Sequence, residues 1–177
     1  TDEVKKALME ELPFREAIRE IDDFMSNGEL DLDNEKLSKE CQTIEMAKRF
    51  VLFIFNEALC KYGQDLKHEQ QLTEIFADNF MDIYSAESTV VRAQKIMVSN
   101  SPEPTVVDIA KVFTAEMTNR FINQLHTAIN AIFDGEPSDL INQKVNEFES
   151  RMRLSTNVIG LKRNIANHVY EKNKYPY

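Results

Sequence analysis

From Leu72 onward the chain sets Leu72, Phe76, Asn79, Ile83, Ala86, Val90, Ala93 and Met97 at alternating intervals of four and three residues. That spacing keeps one face of an α-helix dry for about seven turns, and a strand's period of two cannot reproduce it. Asn79 is the one polar member of the row. A second row, Phe80, Tyr84 and Val91, stands beside it. Glu74, Asp78, Asp82, Arg92 and Lys95 take the opposite side, acids early and bases late as the helix dipole favours. The helix therefore lies on a core instead of passing through one.

The same period recurs on both sides. Leu37, Cys41, Ile44, Ala47, Val51, Ile54, Ala58 and Tyr62 mark a preceding helix that ends at Gly63, with Phe50 and Phe53 as a second buried side. Val106, Ala110, Phe113, Met117, Phe121, Leu125, Ala128 and Ile132 mark a following helix, backed by Ile109, Ile122, Ile129 and Phe133. Its ends are punctuated by Pro102 and Pro104 before it and by Gly135 and Pro137 after it.

Shorter helices are expected at the two ends of the chain. One spans about Pro13 to Ser26, with Phe14, Ile18, Ile21 and Met25 inward, and closes at Asn27-Gly28. Another runs from about Leu140 to Leu154, with Ile141, Val145, Phe148 and Met152 inward. The last follows Asn157, with Val158, Leu161, Ile165 and Val169 inward and "STN" as break and cap. Short turns between long amphipathic helices force antiparallel neighbours, so the predicted fold is all-α, an up-and-down bundle of three long helices and two to three shorter ones. Residues 1–35 are expected to form an N-terminal helix and linker, and residues 36–177 the bundle, together one compact domain.

Only four glycines and five prolines occur in 177 residues, which agrees with long helices. The net charge of −9 is uneven: residues 1–40 carry 13 acids and 6 bases, whereas residues 141–177 carry 3 acids and 7 bases. An acidic chain repels phosphate backbones, so nucleic acid is excluded as a partner, and a salt-sensitive contact between the two ends is the simpler expectation. The longest apolar run, "FVLFIF" at residues 50–55, is far short of the ~20 residues that span a bilayer. A soluble or at most peripheral chain, cytoplasmic in location, is expected. It opens "TDEVKKALMEEL" with neither an initiator Met nor a targeting pattern, as part of something longer would.

Chemistry-bearing residues are present but scattered. Bundle di-metal sites use Glu-x-x-His pairs, and the nearest approach here is Asp65-x-x-His68 in a turn. The Glu74, Asp78 and Asp82 ladder suits a solvated face. His68, His126 and His168 fall in three segments without a nucleophile elbow, a Cys-x-x-Cys or a phosphate-cradling loop. Asn119, Asn123, Gln124 and Asn130 flank a long helix and are expected on its solvated surface. "RFVLFIFNEALCKY", with Lys48, Arg49 and Lys61, has a composition that suits either a membrane surface or, more simply, burial against the other helices. Cys41 and Cys60 are expected as reduced, buried thiols, since their spacing and context support no disulfide framework. No catalytic, cofactor-binding or metal-ligating residue is therefore assigned.

Function enters through a resemblance. "EQQLTEIFADNFMDIYSAESTVVRAQK", through Gln71, Leu72, Ala77, Asp78, Asp82, Tyr84, Ala86, Arg92 and Ala93, resembles a segment of the C-terminal domain of very-long-chain-type acyl-CoA dehydrogenases. "EALCKYGQDLKHEQ" resembles that family's helix-turn entry, and "NHVYEKNKYPY" its Pro-containing, aromatic-ended tail. The likeness is good over residues 37–98 and colinear to the end.

The resemblance implies a parent flavoprotein that uses FAD and a catalytic Glu to remove hydrogens from Cα and Cβ of a fatty acyl-CoA in β-oxidation. The chain itself would be a non-catalytic helical accessory domain without the flavin segments or that Glu. It would pack on the catalytic body of the same chain or on a second subunit, shaping oligomerisation or peripheral membrane association. The alternatives are a free-standing helical protein-binding module and an enzyme with a cofactor site inside the bundle. Phe76, Tyr84 and Phe121 are expected in the core.

Overall fold

The computed structural model describes residues 37–99 and 101–172; the predicted helix at Pro13 to Ser26, the contact between the two ends and the last residues of the tail lie outside them. Within this range the chain is all-helical: α1 (Ser38–Tyr62), a 3₁₀ turn (Gly63–His68), α2 (Gln70–Met97), α3 (Thr105–Ile132), α4 (Asp139–Met152) and α5 (Val158–Lys172). Three long helices and two short ones match the sequence reading, with boundaries within a few residues.

Local chemistry sets the ends. Gly63 has φ 54° at the close of α1, and its N–H is donated to Leu59 O. After α3, Asp134 (φ 54°) and Gly135 (φ 81°) adopt left-handed backbone, and the Gly135 N–H reaches back to Asn130 O at 2.9 Å. This satisfies a carbonyl that the helix end would otherwise orphan. Ser138 caps α4 by accepting the Ile141 N–H, and Asn157 Oδ1 accepts the Gly160 N–H at 3.0 Å at the start of α5.

Directions follow from the cross-helix contacts. Lys48 meets Glu87 and Cys41 meets Gln94, so seven residues back along α1 are seven forward along α2: the pair is antiparallel. Phe50 meets Phe121 and Tyr62 meets Ala131, both advancing together, so α1 and α3 are parallel. The central helix is α3, which packs on α1, α2 and α5, while α4 lies on α1.

The centre is aromatic. Phe50 stacks on Phe148 at 4.7 Å between centroids and meets Phe121 edge-on at 6.2 Å, while Phe55 meets Phe76 edge-on at 5.0 Å. Such pairs add to the stabilisation from area burial alone. The row from Leu72 to Ala93 is buried as its period implies, Asn79 included. Asn79 donates Nδ2 to Ile75 O at 2.7 Å, and its Oδ1 has no hydrogen-bond partner among the described residues.

Four expectations are corrected. Tyr84 is not in the core: it is 72% exposed, because α1 and α3 cover the inner row of α2 and leave this side chain open among the described residues; Val91 of the same row is 56% exposed, and Phe80, at 40%, keeps an edge-on contact with Phe55 of α1. Phe76 and Phe121 are buried, as expected. Cys41 is half-buried and accepts from Gln94 Nε2, and Cys60 is exposed, so neither is the buried cysteine predicted. Phe113 of the inner α3 row is only half-buried, whereas Val112, Thr114, Ala115 and Thr118 are buried on flanks the period did not mark. The inward row of α5 (Val158, Leu161, Ile165, Val169) is half-buried throughout, since α5 rests mainly on α3.

Candidate functional site

The acidic row of α2 does not assemble a ligand set. Glu74 and Asp78 are exposed, and Asp82 accepts from Arg120 of α3. Among the described residues no three His, Cys, Asp or Glu side chains come together as a metal would need.

The histidines are separate in space as in sequence. His68 is exposed at the end of the 3₁₀ turn. His126 Nε2 of α3 lies 2.5 Å from Glu149 Oε1 of α4, and His168 Nε2 of α5 lies 3.3 Å from Glu103 Oε2 in the turn before α3. Each of these two joins a short helix to the α3 region; neither faces a nucleophile. Glu103 is pushed up by burial, but its hydrogen bonds with Thr105 and the neighbouring His168 and Lys172 outweigh that and hold its carboxyl below the ordinary range.

The basic side chains of "RFVLFIFNEALCKY" are engaged within the chain. Lys48 Nζ lies 2.6 Å from Glu87, Arg49 bonds Glu45, and Lys61 bonds Asp134 at 2.8 Å. Burial opposes the charge on Lys48, yet the hydrogen bond and charge of Glu87, with Glu45, hold its ammonium above the ordinary range. Phe50, Val51, Phe53 and Ile54 of the same stretch are buried, so burial against the bundle prevails over a membrane-facing arrangement. No described helix is long and apolar enough to cross a membrane. Asn119, Asn123 and Asn130 are exposed, and Gln124 is half-buried.

The clefts of the described surface are open grooves. One of about 370 Å³ lies between the α1 N-terminus, α3 and the α4–α5 turn, with Lys39, Lys111 and Arg153 around the buried Glu40. Another, of about 220 Å³ between α1 and α2, has Cys41, Glu45, Lys48 and Glu87 at its edge. Farther along α1, burial raises Glu57 against the pull of Lys144 of α4, and partial burial together with the Glu57 charge raises the Cys60 thiol. Neither groove has a glycine cradle of backbone N–H groups for a dinucleotide pyrophosphate; Gly63 and Gly135 serve turns and Gly160 lies in the first turn of α5. The described residues do not fit FAD.

What the fold and surface define is an up-and-down helical bundle with a filled core and several exposed apolar side chains along α2. The acyl-CoA dehydrogenase C-terminal domain family matches residues 46–146, and the chain belongs to that family. It is 26% identical over 176 residues to a probable acyl-CoA dehydrogenase of Bacillus subtilis (strain 168), covering 97% of this chain and 29% of that protein. It is also similar to the crystal structure of an acyl-CoA dehydrogenase complexed with FAD from Bacillus anthracis, with a TM-score of 0.81, 26% identity, and coverage of 98% of this chain and 30% of that one. The chain thus spans about three-tenths of the length of these relatives.

Sequence reasoning missed the Asp82–Arg120 and His–Glu contacts, which join residues remote along the chain. It also placed Tyr84 in the core, where the structure leaves it 72% exposed.

Proposed function

We propose that this chain is the non-catalytic C-terminal accessory domain of a longer FAD-dependent acyl-CoA dehydrogenase of the very-long-chain type, acting in fatty acid β-oxidation in the cytoplasm. The observation that carries this reading is that nearly the whole chain aligns, in sequence and in three dimensions, with three-tenths of dehydrogenases. The flavin, the catalytic carboxylate and the acyl-CoA site then belong to the remaining part of the parent, and this bundle packs on that body or on a second subunit. The exposed apolar side chains of α2 support a packing role, and they speak against a free-standing module with a complete polar surface. The in-chain ion pairs of Lys48, Arg49 and Lys61 favour protein over membrane as the docking partner.

The test is the encoding frame. An upstream extension of roughly 400 residues of dehydrogenase sequence, the length left when 176 aligned residues are 29% of the relative, is the expected result. A start codon immediately before Thr1 would overturn the reading. At the protein level, the full-length product should carry flavin absorbance and oxidise acyl-CoA, while the 177-residue chain should do neither.

A further inference from the structure

The outward face of α2 carries a second seam as regular as the inner one. Ala77, Met81, Tyr84, Ser88, Val91 and Val98, with Lys95 completing the register, are spaced 4-3-4-3-4-3 and are all exposed. This is the heptad spacing by which one helix packs along another, and it runs for about 30 Å. A monomer that keeps a polar exterior has no need of such a row.

We infer that this seam pairs antiparallel with the same seam of a second copy of the chain, about a two-fold axis near residue 86. In this register Tyr84 packs over the small Ser88 of the partner copy, and Met81 over Val91. Large thus faces small along the seam, as knobs-into-holes packing requires. The charges on the flank agree. Asp78 and Arg92 are both exposed, neither is in an ion pair with another described residue, and they lie on the same side of the seam. Antiparallel pairing brings same-side flanks together, so Asp78 of each copy meets Arg92 of the other, twice by symmetry. On the other flank Glu87 is already neutralised by Lys48. A parallel pairing would instead set Tyr84 on Tyr84 and Lys95 on Lys95, crowding the middle and repelling at one end.

The test uses the 177-residue chain in light scattering or sedimentation from about 5 to about 200 µM, since a single helix pair lies at the small end of stable interfaces and its dissociation falls in that range. A mass that doubles with concentration is expected, together with weakening in about 0.5 M NaCl. Asp78→Arg or Arg92→Asp alone should weaken the dimer by about tenfold or more, as attraction becomes repulsion at two sites. An equimolar mixture of the two variants should restore it as a heterodimer, and so should the double substitution in one chain. Circular dichroism on each variant separates loss of pairing from loss of fold. A monomer throughout the range overturns the inference, as does a dimer insensitive to these reversals or one not restored by mixing. Coverage of the seam by the parent's catalytic body would give the first of these results. Failure here leaves the upstream-frame test untouched, because one reads the mass of this chain and the other reads its gene.

Discussion

Arg120 of α3 grips Asp82 of α2 with two hydrogen bonds, Nη2 to Oδ1 at 2.8 Å and Nε to Oδ2 at 3.2 Å, tying together helices whose contact residues are 38 apart in sequence. The two-pronged geometry is the strong form of an ion pair, and Asp82 accordingly holds the Arg120 guanidinium above its already high ordinary range. The guanidinium is half-exposed, at 53%, so solvent screening leaves about 0.5–1 kcal/mol for the pair. A double-mutant cycle of Arg120→Ala and Asp82→Ala in urea should return a coupling energy of that size, shrinking in high salt. A coupling near zero at low salt would show the contact to be cosmetic.

Phe148→Ala should destabilise the bundle by about 3–5 kcal/mol, because it empties a site stacked against Phe50 with no solvent access. Tyr84→Ser, at a position 72% exposed, should change the monomer's unfolding free energy, measured by chemical denaturation, by less than about 0.5 kcal/mol. Equal losses at the two positions would contradict the assignment of Tyr84 to the outer face.

Asn79 is fully buried in an otherwise apolar row with an unpaired carbonyl oxygen. An unsatisfied buried acceptor costs about 1–3 kcal/mol, so Asn79→Leu should be neutral or raise the thermal midpoint despite the loss of one hydrogen bond. Asn79→Asp places a charge in the same site and should lower the midpoint sharply at neutral pH. A large loss on Asn79→Leu would mean that the amide has a partner in the intact protein.

Two carboxylates give pH dependences of opposite sign. Burial raises Glu57 in the folded state, against the pull of Lys144, so its contribution to stability is complete below the ordinary carboxylate range and is lost as the pH rises through the folded value. Glu57→Gln should therefore stabilise at pH 7 and do little at acid pH. Glu103 is lowered in the folded state, so its contribution is present above the ordinary range and lost as the pH falls through the folded value. Glu103→Gln should weaken the docking of α5 at pH 7, with the difference from the parent vanishing in acid. Hydrogen exchange on α5 amides reads this directly, and a pH-independent difference would refute it.

Asn157→Ala removes the side chain that accepts the Gly160 N–H at the start of α5. Loss of a cap costs about 1 kcal/mol. Because α5 has no fully buried residue, the expected result is faster amide exchange in α5 with little change in α1 to α3. Uniform acceleration across all helices would show α5 to be part of a single cooperative unit.

The sequence by itself determined the five described helices, their order and most of their ends. Those depend on signals carried within a few residues: the 4-3 spacing from Leu72, the glycines at 63 and 135, Asn157 before α5. The resemblance over residues 37–98 also placed the chain in its family, because helix entry and core-row residues are local motifs. Tertiary structure decided which apolar row becomes dry. Phe76 and Tyr84 lie on one helix at equally helical spacings, yet α1 and α3 close over the first and leave the second open. Thr114 and Ala115 are buried for the converse reason, since α3 is enclosed by α1, α2 and α5 on flanks its own periodicity left unmarked. Periodicity names the faces of a helix, but how many of them are covered depends on its neighbours, and those arrive only when the chain folds.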